Sequence, residues 1–421
     1  MRYCKPAGRA PLRGKFAFKP VEVGSIYDYI AQGAKGVKMS EKKQASQLKF
    51  LHCADIHLDT PYVGLSPEKS EERRRGLRSS FMKMMEYVRG SGIDYVLISG
   101  DLFETRYATN NTVELLAREF RSAPDTQFII APGSADSYEN NPVYQSGRFP
   151  ENCHIFTEDK LSRFDFDDDR VTVYGWGFLK PAMTENPLID KQVDDVSKIN
   201  IVCGYADVDG DVASDKCPIS TTDIKRFGAD YYAFGSRHEG GEFVGLDDSL
   251  YGYAGALESI GFDNPGIGGA KLIVVKYSGG ELSIDAKHMS FGHVVFKSEV
   301  VDITGVDTNN EIINRISHLV SDKKYGAETA LRVELSGYIE PRFIVPKNLG
   351  SDAFGLYSFE LVDKTMPLFG TESLKRDMSV KGEIFRQLLP MLKSDDEEER
   401  LIAARAFREG LAALENRDIE A

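Results

Sequence analysis

The fold of this chain is indicated first by one stretch of sequence, Leu48-Lys49-Phe50-Leu51-His52-Cys53-Ala54-Asp55-Ile56-His57. Its first part is a short apolar run, which is typical of a buried strand. Acidic and imidazole side chains follow directly where that strand would end. Because ligands bind at the carboxyl ends of strands in open α/β sheets, Asp55 and His57 are the first candidate site residues.

Three more apolar runs end in the same way. They lie at residues 95–98, 128–130 and 231–234, and the polar residues after them are Asp101, Asp136 and His238. A helical period after the first stretch predicts one apolar helix face, formed by Leu77, Phe81, Met84, Met85 and Val88. Strands that alternate with helices predict βαβ units and a largely parallel sheet.

The polar residues after these strands suggest a metal site. Carboxylates and imidazoles that converge on one sheet edge are ligands suited to Mn²⁺, Fe²⁺ or Zn²⁺. A carboxylate between two cations can bridge them at about 3.5–4 Å, the spacing of two-metal phosphoesterases. Each residue alone indicates little, because an Asp after a strand is often only a helix cap. The ordered series is what predicts the site.

Composition restricts the class of protein. The chain has 421 residues, of which 42% are hydrophobic and 28% charged, and its net charge is −13. No apolar run approaches the roughly 18 residues that cross a bilayer, so no membrane association is expected. Five cysteines with no CxxC pair favour a reducing, cytoplasmic location. An acidic chain does not attract DNA as a whole, so DNA contact would need a local basic groove or bound cations.

Four regions are predicted along the chain. Residues 1–47 indicate a flexible basic extension, since residues 1–38 hold eight Lys or Arg and only two acids. Either Met39 is the true start, or the extension is a basic arm that touches DNA. Residues 48–295 form the main α/β domain, residues 296–350 a small β-containing domain, and residues 351–421 a helical region with Ser394 as a cap.

Five short segments, in this order, resemble the five motifs of the calcineurin-type metallophosphoesterases. They are Asp55-Ile56-His57 for D-x-H, Gly100-Asp101-Leu102-Phe103-Glu104 for the second motif, Gly133-Ser134-Ala135-Asp136 for GNHD, the strand around Cys203 for the fourth, and Gly235-Ser236-Arg237-His238 for G-H-x-H. His52, Thr60-Pro61 and the tail 381–414 are similar to the SbcD/YhaO-type DNA repair exonucleases. The resemblance covers about residues 48–417. It implies an α/β fold with a β-sandwich flanked by helices, a small α+β appended domain and a helical C-terminal tail.

The residues that depart from these motifs are mainly at the ligand positions of one of the two metals that the family binds. The resemblance implies that Asp55, His57, Asp101 and His238 hold one divalent metal, with Mn²⁺ as first choice and Fe or Zn as alternatives. The second-metal positions hold Ser134, Cys203 and Ser236, and the catalytic histidine position holds Ala135. We therefore expect a second metal to be lost and hydrolysis to be weak or absent. The alternative is that Asp136, Asp207 or Glu239 supplies the missing ligands.

Three functions remain open from the sequence. The first is an SbcD/YhaO-like DNA repair exonuclease, impaired in catalysis. The second is a non-catalytic subunit that binds DNA ends or an SbcC/YhaN-like coiled-coil ATPase, with the apolar stripe in 401–414 docking on that partner or packing on its own domain. The third is a small-molecule phosphoesterase. Arg237 either contacts a phosphate or points away from the site.

Overall fold

A computed structural model describes residues 47–414, apart from gaps at 64–65, 167, 169, 212, 263–265, 279–280, 341–342, 347–349 and 369–370. The predicted basic extension lies outside the described residues except for Gln47. The chain divides into two compact units, Met1–Ile260 with Ile267–His293, and Gly261–Gly266 with Val294–Ala421. The division at His293 falls close to the predicted end of the main domain at residue 295.

The first unit alternates strands and helices. Its elements begin with β1 (Gln47–Cys53), α1 (Pro67–Ser91), β2 (Tyr95–Ile98), α2 (Asn110–Arg121), β3 (Gln127–Ile130), β4 (Cys153–Ile155), β5 (Ser162–Phe166) and β6 (Val171–Gly175). They continue with β7 (Ile199–Tyr205), β8 (Asp207–Val208), β9 (Pro218–Ile219), α3 (Thr221–Phe227), β10 (Tyr231–Gly235), β11 (Val244–Leu246), β12 (Ser249–Tyr253) and β13 (Gly266–Ser278). Strand β14 (Glu281–Asp302) begins in this unit and ends in the second.

Two sheets form the first unit. One has the order β13-β1-β2-β3-β4, in which β1 to β4 are parallel and β13 is antiparallel to β1. The other has the order β11-β12-β10-β7-β6-β5, with antiparallel strands only at its edges. In each sheet, the loops that follow the carboxyl ends of the parallel strands lie at the same edge.

Side-chain alternation along the strands produces the layers. Phe50 lies in the cluster between the two sheets, where Leu97, Ile201 and Ala233 also pack. Its neighbour Leu51 faces the opposite side of the sheet and joins the cluster beneath α1 and α2. A third cluster packs α3 on the outer face of the second sheet. The predicted β-sandwich flanked by helices is therefore confirmed.

Helix α1 shows how the local sequence sets its ends. The Ser66 hydroxyl accepts a hydrogen bond from the Lys69 N–H at 3.3 Å, and Pro67 occupies the first turn, where its missing N–H is not needed. The helix stops at Gly92, whose φ of 60° suits a residue without a β-carbon. The apolar face predicted from the sequence is buried: Leu77, Phe81, Met84, Met85 and Val88.

The second unit joins a small sheet to a group of helices. Its elements are the end of β14, α4 (Asn309–Asp322), β15 (Thr329–Ser336), β16 (Tyr338–Ile339), β17 (Ser358–Asp363), β18 (Met366–Pro367), α5 (Thr371–Arg376), α6 (Val380–Leu392) and α7 (Glu397–Leu414). Strands β14, β15 and β17 pair in parallel. The region 351–421, predicted to be helical, therefore also contributes strands β17 and β18.

The apolar stripe of α7 packs inside its own unit. Phe407 is fully buried and meets Phe385 of α6 edge-on, with ring centroids 5.6 Å apart. Leu411 is 1% exposed. Arg408, on the same side, forms an ion pair of 2.9 Å with Asp363. Of the two alternatives for residues 401–414, packing on the chain's own domain is the one observed.

Among the described residues, no helix combines the length and the apolar character needed to cross a bilayer.

Candidate metal centre

The four predicted metal ligands lie together at the carboxyl edge of the sandwich. Asp55 and His57 follow β1, Asp101 follows β2, and His238 follows β10 of the other sheet. One oxygen or nitrogen atom from each of Asp55, His57 and His238 falls within 4.8 Å of the others. Asp101 lies beside this group, with its Oδ2 3.7 Å from His57 Nε2.

The backbone at this edge is held in unusual conformations. Asp55, His57, Asp101 and Ser236 have φ angles of 48°, 50°, 54° and 103°. Non-glycine residues in the left-handed region cost about 1–3 kcal/mol each and concentrate at functional sites. Hydrogen bonds between adjacent loops hold them, from the Asp55 N–H to the Gly100 carbonyl at 3.0 Å and from the His57 N–H to the Asp101 carbonyl at 2.9 Å.

Asp55 carries the clearest sign of a cation site. Its Oδ2 accepts the Ser236 N–H at 3.2 Å. Its Oδ1 is buried and has no hydrogen-bond partner among the described residues. That atom lies 3.6 Å from His238 Nε2, which is in turn 3.1 Å from His57 Nε2. A buried carboxylate oxygen without a donor is costly, and a cation between these three side chains would remove that cost.

Burial and neighbouring charges shift the pKa values of all three ligand side chains. Burial, together with the nearby Asp101, raises the pKa of Asp55 to about 7. Burial opposes a charge on His57, but hydrogen bonding to Glu104 and the charges of Asp101 and Asp55 outweigh it and raise the pKa of His57 to about 9. Burial and the charge on His57 lower the pKa of His238 to about 4. A neutral His238 imidazole is the form that binds metals.

Glu104 orients His57. Its Oε1 accepts a hydrogen bond from His57 Nδ1 at 2.8 Å, which leaves Nε2 facing Asp101 and His238. A carboxylate behind a metal-binding imidazole fixes the tautomer and makes the ligand more basic. Glu104 belongs to the second motif, but the motif alone does not indicate this positioning role. An acid three residues after the strand-end Asp was the available signal.

Asp136 is fully used in holding the loops. Its Oδ1 accepts the N–H groups of Gly133 at 2.7 Å and Asp101 at 3.1 Å. Its Oδ2 accepts the Leu102 N–H at 2.8 Å and the Tyr144 hydroxyl at 2.6 Å. All four donors are protein groups, so this carboxylate is not free to replace a missing ligand.

Asp207, Arg237 and Glu239 lie outside the ligand group. The Arg237 guanidinium donates to Asp207 Oδ1 at 3.0 Å and to the Val208 carbonyl at 2.8 Å, and it covers the Tyr253 ring at 4.6 Å. Asp207 is therefore engaged with Arg237, and Glu239 is exposed. The Arg237 side chain points toward β8, which agrees with the alternative that it points away from the site.

At the positions predicted to have lost the second metal, hydroxyl groups bond to the protein. Ser134 Oγ donates to Asp101 Oδ2 at 3.2 Å, and the neighbouring Ala135 N–H donates to Asp101 Oδ1 at 2.8 Å. Ser236 Oγ donates to the Ala206 carbonyl at 2.7 Å.

Strand β7 differs from the sequence-based assignment. Cys203 lies in the cluster between the sheets, with its Sγ 3.5 Å from Ser99 Oγ, and burial raises the pKa of its thiol to about 12. The β7 residue that reaches the candidate centre is Tyr205, two positions further on. Its hydroxyl oxygen is 3.3 Å from Ser134 Oγ, and burial, with the nearby charges of Asp101 and Asp55, raises the pKa of Tyr205. Cys203 and Tyr205 share a face of the strand, and only Tyr205 is at its end.

Comparison with known proteins agrees with this geometry. Residues 48–239 match the family of calcineurin-like phosphoesterases. The chain is 24% identical over 305 residues to the uncharacterized metallophosphoesterase YhaO of Bacillus subtilis, covering 69% of this chain and 72% of YhaO. It is 23% identical over 237 residues to the DNA double-strand break repair protein Mre11 of Methanopyrus kandleri, covering 51% of this chain and 50% of Mre11. A solved dimetal phosphatase of Danio rerio is 9% identical, covers 58% of this chain and 99% of its own, and has a TM-score of 0.36, too low to support any argument.

Proposed function

The chain belongs to the calcineurin-like phosphoesterase family through residues 48–239, and on that premise we propose that it is a one-metal, DNA-processing protein of the SbcD/YhaO type that hydrolyses phosphodiesters weakly. One divalent cation binds to Asp55, His57 and His238, with Asp101 beside them. Mn²⁺ is the first choice, and Fe²⁺ or Zn²⁺ is the alternative, because the ligands are carboxylates and imidazoles.

The observation that carries this proposal is the buried Asp55 Oδ1, which has no donor among the described residues and lies 3.6 Å from His238 Nε2. It identifies the place where a positive charge fits. A bound cation of this kind polarises a phosphoryl oxygen and lowers the pKa of a bound water. The chain's own part is to fix the ligands, with Glu104 holding the His57 ring.

Weak hydrolysis is expected because the loop that carries Ala135 provides no proton donor for the leaving group. Ala135, at the position of the family's catalytic histidine, has no proton to give to a leaving group. Losing a positioned general acid costs about 10²–10⁴ in rate. Asp136 cannot take over that role, because its oxygens accept four protein hydrogen bonds.

The substrate and partner are proposed from the relatives. Mre11 is named as a DNA double-strand break repair protein, and we extend DNA as substrate to this chain, in the cytoplasm. Because the net charge is −13, the single cation at the centre is expected to attract the DNA phosphate. An SbcC/YhaN-like coiled-coil ATPase would dock on the exposed apolar residues of the C-terminal region, Met378, Val380 and Ile402, because Phe407 and Leu411 in the middle of α7 are buried.

A second candidate is a non-catalytic subunit of the same kind, and Ala135 is the observation that favours it. The two candidate functions differ in whether the protein hydrolyses phosphodiesters. Purified protein with Mn²⁺ is tested on linear double-stranded DNA and on a chromogenic phosphodiester, alongside the Asp55→Asn variant.

Slow cleavage of DNA that Asp55→Asn abolishes supports the weak nuclease. Identical traces for both proteins support the non-catalytic subunit. Cleavage of the small diester alone would support a small-molecule phosphoesterase. Rapid cleavage of DNA, with two cations per chain, would contradict the proposed impairment.

A further inference from the structure

We infer that Tyr205 occupies the place of a second cation and keeps this centre mononuclear. The inference rests on the proposed one-metal site and adds the residue that limits it to one. Tyr205 is 1% exposed and ends strand β7, at the edge where the other sheet presents Asp101.

The ring of Tyr205 fills the space between two loops. A β-carbon on Gly100 would come within 2.3 Å of Tyr205 Cδ2, and one on Gly133 within 2.8 Å of the same atom. Both glycines therefore lie in direct contact with the ring. Gly133 opens the loop that carries Ser134, so the aromatic ring sits against the very segment that would carry a second set of ligands.

The hydroxyl of Tyr205 lies beside the donors that surround Asp101. The Ala135 N–H donates to Oδ1 at 2.8 Å. The Ser134 hydroxyl donates to Oδ2 at 3.2 Å, and its oxygen is 3.3 Å from the Tyr205 hydroxyl. A carboxylate that bridges two cations has both oxygens directed at metal. Here neutral donors from the protein reach both oxygens of Asp101, Oδ1 from Ala135 and Oδ2 from Ser134.

Charge balance agrees with a single cation. The described ligand group holds two carboxylates, Asp55 and Asp101, and one dication neutralises them. A second dication would be bound in a buried site by Ser134 and Tyr205, whose neutral hydroxyls do not offset its desolvation. Ser236 does not help, since its hydroxyl is bonded to the Ala206 carbonyl at 2.7 Å.

Two double variants test this inference with the same added ligand. Ser134→Asn with Tyr205→His removes the phenol ring and supplies an amide and an imidazole. Ser134→Asn with Tyr205→Phe supplies the same amide but keeps the ring. Bound Mn²⁺ is counted by equilibrium dialysis with elemental analysis, and its environment is read by electron paramagnetic resonance, which separates an isolated ion from a spin-coupled pair.

We expect wild type and the Phe variant to bind one Mn²⁺ per chain, and the His variant to bind two that are spin-coupled. Two cations on wild type, or on the Phe variant, would overturn the inference. If wild type binds none and the His variant gains a cation, the proposed one-metal function fails, whereas the exclusion of a cation by Tyr205 is still supported. If the His variant gains none although its thermal unfolding matches that of the Phe variant, the inference is wrong.

Discussion

Removal of the Glu104 carboxylate should weaken cation binding without unfolding the protein. Glu104 contributes no ligand atom to the group of Asp55, His57 and His238. It acts through the 2.8 Å hydrogen bond from His57 Nδ1. In Glu104→Ala the imidazole loses the partner that fixes its ring and keeps the proton on Nδ1, so Nε2 is no longer held ready for a cation.

The magnitude follows from that contact. Loss of a carboxylate behind a metal-binding histidine typically costs 10- to 100-fold in affinity, about 1.4–2.7 kcal/mol. The Glu104 side chain is 24% exposed, so water screens part of its charge, and we expect the lower half of that range. Direct loss of fold stability should be about 1.5–3 kcal/mol, the usual contribution of a hydrogen bond to a charged group, which is too small to unfold a typical domain.

Titration calorimetry with Mn²⁺ measures the effect, and two variants serve as controls. Glu104→Gln keeps an oxygen that accepts from Nδ1 and should recover most of the affinity. Glu114→Ala removes the same charge from α2, where the side chain is 65% exposed and pairs with Arg148, and should bind Mn²⁺ like wild type. Equal dissociation constants for Glu104→Ala and wild type would refute the positioning role.

Three further outcomes are expected. Mn²⁺ affinity should rise by up to about tenfold per pH unit between pH 7 and 9, because His57, with a pKa of about 9, must lose a proton to bind. Calorimetry in buffers of different ionisation enthalpy detects the released proton. An Mn²⁺ affinity that does not change with pH would contradict this. Mn²⁺ at a hundred times its dissociation constant should stabilise the fold by about 2.7 kcal/mol, seen as a higher melting temperature that Asp55→Asn does not show. Phe407→Ala should destabilise the second unit by about 3–5 kcal/mol in chemical denaturation, because Phe407 is buried against Phe385, whereas the exposed Ile402→Ala should change little.

Local patterns predicted the parts of the fold that depend on periodicity. The buried face of α1, from Leu77 to Val88, follows from spacing alone, since only one side of an amphipathic helix can meet the sheet. The meeting of Asp55 and Asp101 follows from the rule that parallel strands of one sheet end at a common edge, whereas His238 follows a strand of the other sheet. Both inferences need only the sequence and the geometry of regular elements.

Properties that depend on which partner a side chain finds were not available from the sequence. Asp136 follows a strand as a ligand would, but its four donors come from residues up to 35 positions away, and no local pattern reveals that they converge. The stripe of α7 has the same pattern whether it packs on α6 or on another protein. Residues 358–363 form a strand because β15 is beside them, which no short window contains.

Cys203 rather than Tyr205 was predicted at the second-metal position for a different reason. The motif similarity falls on the middle of the apolar run, where Cys203 lies. Asp101 and His238 lie three residues beyond the ends of their strands, whereas Tyr205 is the last residue inside β7, so a search for polar residues after strands does not reach it.

The main chain at Ser236 constrains how this centre can change during evolution. Its φ of 103° is a conformation that side-chain-bearing residues rarely adopt, yet a serine occupies it and uses its hydroxyl only for a nearby carbonyl. A histidine at position 236 would require no new turn, because the backbone already has this conformation with a serine there. A few side-chain substitutions would therefore be enough to create or remove a cation site, because the backbone at this position accepts the change in either direction.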